Sequence, residues 1–434
     1  MENTKEKQGN LVAIITMFFI FAMISFVTNM AAPFGNIWSF KYEWAGMWGN
    51  MMNFAAYLFM GIPAGNMLIK FGYKKTALIA LATGVVGLFV QYLSSKFGAD
   101  VQVIEIDNKF VCLDLFIYLL GALICGFCVC MLNTVVNPML NLLGGGGKRG
   151  NQLLQAGGSL NSLSGTLTPM LVGILIGTVT KETGIADVAP LVLAGMAIFA
   201  VSLIVISFIK IEEPQGDLNV VTYEHSPLSF RHCLLGVIAI FFYVGVEIGI
   251  PGELNAYVSH MGFSGSAAVG GSLAAIYWLL MLVGRSVSSF ISGVVSTRVQ
   301  MISVTTLAIV MLLIAIILPD SSTFVLPKID LLRIASGEVP IKCIFIFMCG
   351  ICTSVMWGGI FNLSTEGLGK YTAKASGLFM TMVVGGGVMP LIQDLIGRNV
   401  GYIQSYWLVI AMLAYILFYS LIGCKNVNKD IPVD

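Results

Sequence analysis

The chain has 434 residues, of which 57% are hydrophobic and only 10% charged, with a formal net charge of +1. Soluble domains carry roughly 25% charged residues, and a soluble fold of this length cannot hide so much apolar side chain. Composition therefore excludes a soluble globular enzyme, a disordered chain and a nucleic-acid binder, and leaves an all-α polytopic membrane protein.

A helix crosses a bilayer with about 20 apolar residues. In chain order, runs of that kind stand near 11–33, 47–68, 76–95, 113–143, 152–179, 188–210, 233–258, 266–292, 299–318, 341–363, 374–397 and 402–423, which predicts 12 transmembrane helices. The first follows Lys5 and Lys7. It is too long for a signal peptide and has no small-residue cleavage site, so it reads as a helix. The longest polar stretch, 211–232, contains Glu212, Glu213 and Pro214. It is expected to be a cytoplasmic linker between two pseudo-symmetric six-helix bundles, 1–210 and 233–434. Sizeable loops at 96–112 and 319–340 follow the third and ninth runs, the same place in each half. With the N-terminus inside, 15 of the 23 Lys and Arg residues fall on the cytoplasmic side and eight outside. Cytoplasmic loops carry such an excess, so both termini are expected in the cytoplasm.

The two halves echo one another. Aligning the end of the fourth run with the end of the tenth sets Asn137 opposite Asn362 and Gly144 opposite Gly369. The next run in each half is rich in Gly and Ser and holds a late proline, Pro169 or Pro390. Parallel six-helix repeats are a common transporter plan.

Several short patches carry a resemblance. Gly61-Ile62-Pro63-Ala64-Gly65 leads into Lys70-Phe71-Gly72-Tyr73-Lys74-Lys75, and Thr134 to Pro138 holds an Asn-Pro pair. Leu160-Asn161-Ser162, Phe242 to Glu247, Gly284-Arg285 and Gly385-Gly386-Gly387 with Pro390 complete the set. Together they resemble the fucose–galactose–glucose:proton symporter branch of the major facilitator superfamily. The resemblance implies that fold, sugar transport and a proton-linked cycle. It also shows two departures. Branch members carry an Asp in helix one and a Glu in helix four, both tied to proton coupling. Here the helix-one region reads Thr28-Asn29-Met30-Ala31-Ala32-Pro33, and Asn133 stands at the helix-four position. Ile69 also stands where many superfamily members have Asp in the signature loop.

Ionisable groups within spans are costly and mark function by default. Glu247 is the acid placed deepest by the sequence, ahead of Pro251-Gly252. Water loss penalises a carboxylate's charged form, which suits reversible protonation or cation coordination; a structural hydrogen bond is the competing reading. Glu253 and Asp394 fall nearer helix ends, where a gate or a solvated cap is expected. Lys70, Lys74 and Arg285 are expected at the cytoplasmic gate.

Amides both donate and accept, as sugar hydroxyls do. Asn29, Asn133, Asn137, Gln155 and Asn161 in the first half, with Asn255, Asn362 and Gln393 in the second, are candidate sugar contacts. Each equally fits an interhelical hydrogen bond. Tyr277, Trp278 and Trp357 could stack on a sugar's apolar face, or simply pack. Cys125, Cys128 and Cys130 lie in an apolar run without His or acid, so buried thiols are expected there and not a metal site. Gly144 to Gly147 before Lys148 lacks the spacing of a phosphate loop. No catalytic constellation is present.

These residues point to a monomeric secondary transporter of a neutral hexose or deoxyhexose in a bacterial cytoplasmic membrane, surrounded by lipid and without a cofactor. Glu247 would couple H+ or Na+. A uniporter or exchanger of the same fold, or a non-transporting membrane sensor, are the alternatives.

Overall fold

The computed structural model describes residues 2–42, 44–45, 48–106, 108–175, 183–211, 213, 223–261, 266–329, 334–428 and 430–433. Residues 212 and 214–222 of the expected linker therefore lie outside the described residues.

Twelve helices follow in order: α1 (Glu2–Lys41), α2 (Trp48–Ser94), α3 (Leu113–Leu143), α4 (Gly147–Leu175), α5 (Ala189–Phe208), α6 (Arg231–Ser259), α7 (Ser266–Ile291), α8 (Thr297–Ile317), α9 (Lys342–Thr365), α10 (Thr372–Met382), α11 (Gly385–Asn399) and α12 (Tyr406–Phe418). Among the described residues, ten helical segments are long and apolar enough to cross a membrane. That count takes α2 once and omits α4, whose Gly, Ser and Asn content lowers its hydropathy although it has 29 residues. The 47-residue α2 is two spans, and α10 with α11 makes one. Twelve spans result.

Gly72 divides α2. Its φ of 78° and ψ of 175° break the helix at the turn between the second and third spans. A side chain at such a φ costs roughly 1–2 kcal/mol, and here a Cβ would also meet the Glu213 carboxylate. Beyond the corner, Glu213 accepts from the Tyr73 N–H at 2.9 Å and the Lys74 N–H at 3.3 Å. These are N–H groups that a starting helix leaves without partners, and an acid is favoured at that end. Lys74 Nζ donates to the Ser207 carbonyl at 2.8 Å, so α2 is tied both to the end of α5 and to the segment that follows it.

Proline explains another tie. Pro138 inside α3 has no N–H to offer the Thr134 carbonyl four residues back, and Ser376 Oγ donates to that oxygen at 3.0 Å. Small residues bring α2 close to α10: Gly61 and Gly65 lie against Gly377. Cys125 and Cys128 are buried free thiols whose sulfurs fill the space beside Gly87 and Gly84.

The long loops are not plain coil. Gln102–Ile106 and Lys109–Cys112 (β1, β2) form one antiparallel hairpin, and Thr323–Leu326 with Gly337–Pro340 (β3, β4) form another. In the first, Ile106 pairs with Lys109 across a two-residue turn in which Asn108 has φ 58°, the conformation short hairpins favour at Asn. Near the second, Asp320 accepts from Lys342 Nζ at 2.5 Å and from the Tyr257 hydroxyl at 2.7 Å, joining α6, α9 and this loop. Burial pushes the Asp320 carboxyl up, but the hydrogen bonds from Lys342 and Tyr257 and the Lys342 charge hold it below its ordinary value. A lowered carboxylate stabilises above its unfolded pKa and stops doing so as pH falls through the folded value. The hairpin is thus expected to resist protease at neutral and mildly acid pH and to loosen only below about pH 4. Asp320→Asn should loosen it at neutral pH.

Packing divides the chain into two compact units. One comprises residues 1–143, 163–223 and 370–381; the other comprises 144–162, 224–369 and 382–434. They do not follow the sequential halves: the start of α4 packs with the second unit, and most of α10 with the first.

Candidate functional site

The second unit holds an ion pair on membrane-spanning helices. Glu247 projects from the middle of α6, and Arg285 comes from α7; Arg285 Nη2 lies 3.0 Å from Glu247 Oε1. The two side chains are 14% and 11% exposed, respectively. Arg285 Nη1 donates to Ser162 Oγ at 2.8 Å and to the Gly158 carbonyl at 3.3 Å, both on α4. Gly158 makes room for this, since a Cβ there would face the Arg285 stem. One guanidinium thus gathers α4, α6 and α7. The sequence placed Arg285 at the end of its helix, by the cytoplasm. The structure instead sets it against Glu247 in mid-helix, because its long side chain carries charge well away from its own backbone.

Aromatic residues surround the pair. Tyr243, one turn before Glu247, is fully buried and lies beside both charges. Its ring packs on Trp357 of α9, with centroids 6.2 Å apart. Tyr277 is buried and hydrogen-bonded to Thr353 at 2.8 Å. Trp278 meets Tyr277 edge-on and is 38% exposed. Pro251 has no N–H for the Glu247 carbonyl, so main-chain oxygen is also freed at this level. The site has one negative and one positive group, hydroxyls and rings: it can take a cation at the carboxylate, or a neutral polyol at the hydroxyls and the guanidinium.

The other candidate residues of this unit are engaged elsewhere. Gln155 Nε2 donates to the Val355 carbonyl at 2.9 Å. Asn362 accepts from Thr297 at 3.2 Å and donates to the Gly147 carbonyl at 3.1 Å. It lines a cavity with Lys148, Arg298 and Lys425. Asn255 accepts from Ser259, and Gln393 Nε2 reaches Ser405 Oγ. Asn161 adjoins Ser162 and is half-buried. Asp394 pairs with Arg398 one turn on, at 2.9 Å.

In the first unit, Asn133 Nδ2 donates to the buried Tyr57 hydroxyl at 2.9 Å, and Asn137 Nδ2 to the Asn133 carbonyl at 2.8 Å. Asn29 is half-buried and donates to the Ser25 carbonyl and hydroxyl. Lys70 stands over the Phe71 ring and Lys74 over the α5 end. Sequence reasoning missed Glu213 as the partner of the signature loop, Ser162 as the Arg285 anchor, and the burial of Glu253. Glu253 is 4% exposed, against the solvated cap expected for it; its interval of six from Glu247 gave no sign of this.

The Major Facilitator Superfamily family model matches residues 11–390. The chain belongs to the Major Facilitator Superfamily. It is therefore a multi-pass membrane protein of the twelve-span fold. A glucose/galactose transporter of Brucella abortus is 26% identical over 427 residues, covering 96% of this chain and 94% of that protein. Two solved structures share the fold at 17% identity. The E. coli fucose:proton symporter, in a variant form, has a TM-score of 0.76 and covers 94% of this chain and 97% of its own. A superfamily transporter in the outward conformation has a TM-score of 0.73 and covers 94% and 98%. These relatives are transporters and not enzymes.

Proposed function

We propose that this chain takes up a neutral hexose or deoxyhexose by alternating access, coupled to a cation through Glu247. The observation that carries this reading is the Glu247–Arg285 pair on Ser162. The pair is electrically neutral as a whole, which favours an uncharged substrate over a sugar acid. A proton, or Na+, arriving at Glu247 competes with Arg285 for the carboxylate. Protonation gives Glu247–COOH, frees one face of the guanidinium, and leaves it donors for a sugar hydroxyl. Cation and sugar then favour one another, as symport requires. H+ is the first choice of cation, since a single carboxylate with one competing guanidinium offers few oxygens for a metal ion. The transporter names of the relatives support the sugar class.

The two bundles that would rock about the site correspond to the sequential halves 1–210 and 233–434, joined by 211–232, apart from 144–162 and 370–381, which pack with the opposite half. The charge bias supports both termini in the cytoplasm, and the relatives suit a bacterial inner membrane, with the chain as a monomer among lipid. The test is a panel of radiolabelled monosaccharides in proteoliposomes, with and without a protonophore. A neutral hexose or deoxyhexose should enter and lose its accumulation with the protonophore. Uptake of sugar acids alone would overturn the substrate class.

A further inference from the structure

A second carboxyl is buried in the same unit, apart from the Arg285 pair. Glu253 follows Glu247 on α6 and is 4% exposed, while Gln393 on α11 is fully buried. Among the described residues, neither Glu253 Oε1 nor Gln393 Oε1 has a hydrogen-bond donor. The packing is reciprocal. Gln393 Oε1 rests against Gly249, one turn before Glu253, and Glu253 Oε1 rests against Gly397, one turn after Gln393. The two helices meet here glycine to side chain in both directions.

The hydrogens do not suffice for the acceptors. Ser405 is the shared partner: Gln393 Nε2 donates to its oxygen at 3.4 Å, and its one hydroxyl hydrogen is aimed at the Tyr402 carbonyl at 2.7 Å. Ser405 also stands beside the Glu253 carboxyl, so its one hydrogen, already given to Tyr402, leaves Glu253 Oε1 and Gln393 Oε1 without a donor among the described residues. An unsatisfied buried acceptor costs about 1–3 kcal/mol, and more if charged.

The charges facing Glu253 do not compensate it. On α11, Asp394 adds a like charge, and Arg398 is 67% exposed and bound to Asp394. On α12, Tyr406 gives its hydroxyl to the Ile250 carbonyl at 2.8 Å. On α9, Lys342 is taken by Asp320, as is Tyr257 on α6 itself. On α7, Arg285 is taken by Glu247. His260 at the end of α6 stacks on Tyr402 and donates its Nδ1–H to the Ala256 carbonyl at 2.8 Å.

We propose that Glu253 is a proton-binding site, which as the neutral acid donates its O–H into the Gln393–Ser405 cluster. One added hydrogen supplies a donor where oxygens outnumber hydrogens and removes the repulsion from Asp394. A metal ion fits less well: one carboxylate with one amide and one hydroxyl oxygen supplies too few oxygens for a hard cation. The step is Glu253–COO− + H+ giving Glu253–COOH, with no other bond made or broken. Releasing that proton leaves a buried anion between α6 and α11, so deprotonation requires that this crossing part and admit water.

The site stands whatever solute the chain carries, and its test needs no transport. Infrared difference spectra of the purified protein in lipid, between mildly acid and strongly alkaline pH, should contain a carboxylic-acid C=O band that moves down in D2O. Glu253→Gln should lose the band while keeping its elution profile and thermal transition. Gln393→Leu should shift it to higher frequency, because a hydrogen-bond acceptor is gone. Replacing Na+ by choline should change nothing. Identical spectra for the wild type and Glu253→Gln would overturn the proposal, and so would a band that responds to Na+ and not to pH.

Discussion

Arg285→Ala is expected to be the most destabilising single change in the second unit. It removes the guanidinium paired with the Glu247 carboxylate, and also the donor to Ser162 and the Gly158 carbonyl. Removing one member of a buried ion pair costs about 3–5 kcal/mol, because the remaining charge is left uncompensated. The double variant Glu247→Gln with Arg285→Gln should recover most of that loss, since no charge remains stranded. The thermal transition of all three variants in detergent forms the necessary cycle. Equal losses for the single and double variants would mean that packing of the Arg285 stem, and not its charge, holds these helices.

Glu247→Gln is the second large effect, and it falls on function. The amide keeps the shape of the side chain but cannot take up or release a proton in the working range. Accumulation against a gradient should fall at least tenfold, while exchange of labelled for unlabelled sugar across the same membrane persists. Exchange does not need the cation to cycle, so the split separates coupling from binding. If accumulation and exchange both survive unchanged, Glu247 is not the group that couples the cation. If both vanish, the carboxylate contributes to sugar binding itself.

Much of this was legible in the sequence. Twelve spans follow from apolar runs alone, even though α2 fuses two of them and α4 is polar enough to fall short on hydropathy. Glu247 stood out because an acid in an apolar span has so few innocent explanations. Its partner was hidden, because a pairing between α6 and α7 depends on how the helices turn about their axes. Glu253 was misplaced for a related reason: counting along the helix puts it near an end, whereas Gly397 lets α11 approach closely enough to cover it. The amides were visible as polar groups in apolar runs, but which of them satisfy one another could not be read. Asn133 with Tyr57 and Asn362 with Thr297 are such pairs. The hairpin at 102–112 had a readable signal, alternating apolar residues around Asp107-Asn108. It is easily passed over in a chain dominated by long helices. Glu213 could not be matched to Tyr73 and Lys74 without the fold, because 139 or 140 residues separate them.

The central claim is coupled transport of a neutral sugar, and imposed ion gradients test it most directly. Proteoliposomes holding the purified chain should accumulate a neutral hexose or deoxyhexose above its external concentration when the outside is made acidic. Collapsing the proton gradient should return the internal sugar to the external level. Sugar that never rises above equilibration under either a proton or a Na+ gradient would contradict the account.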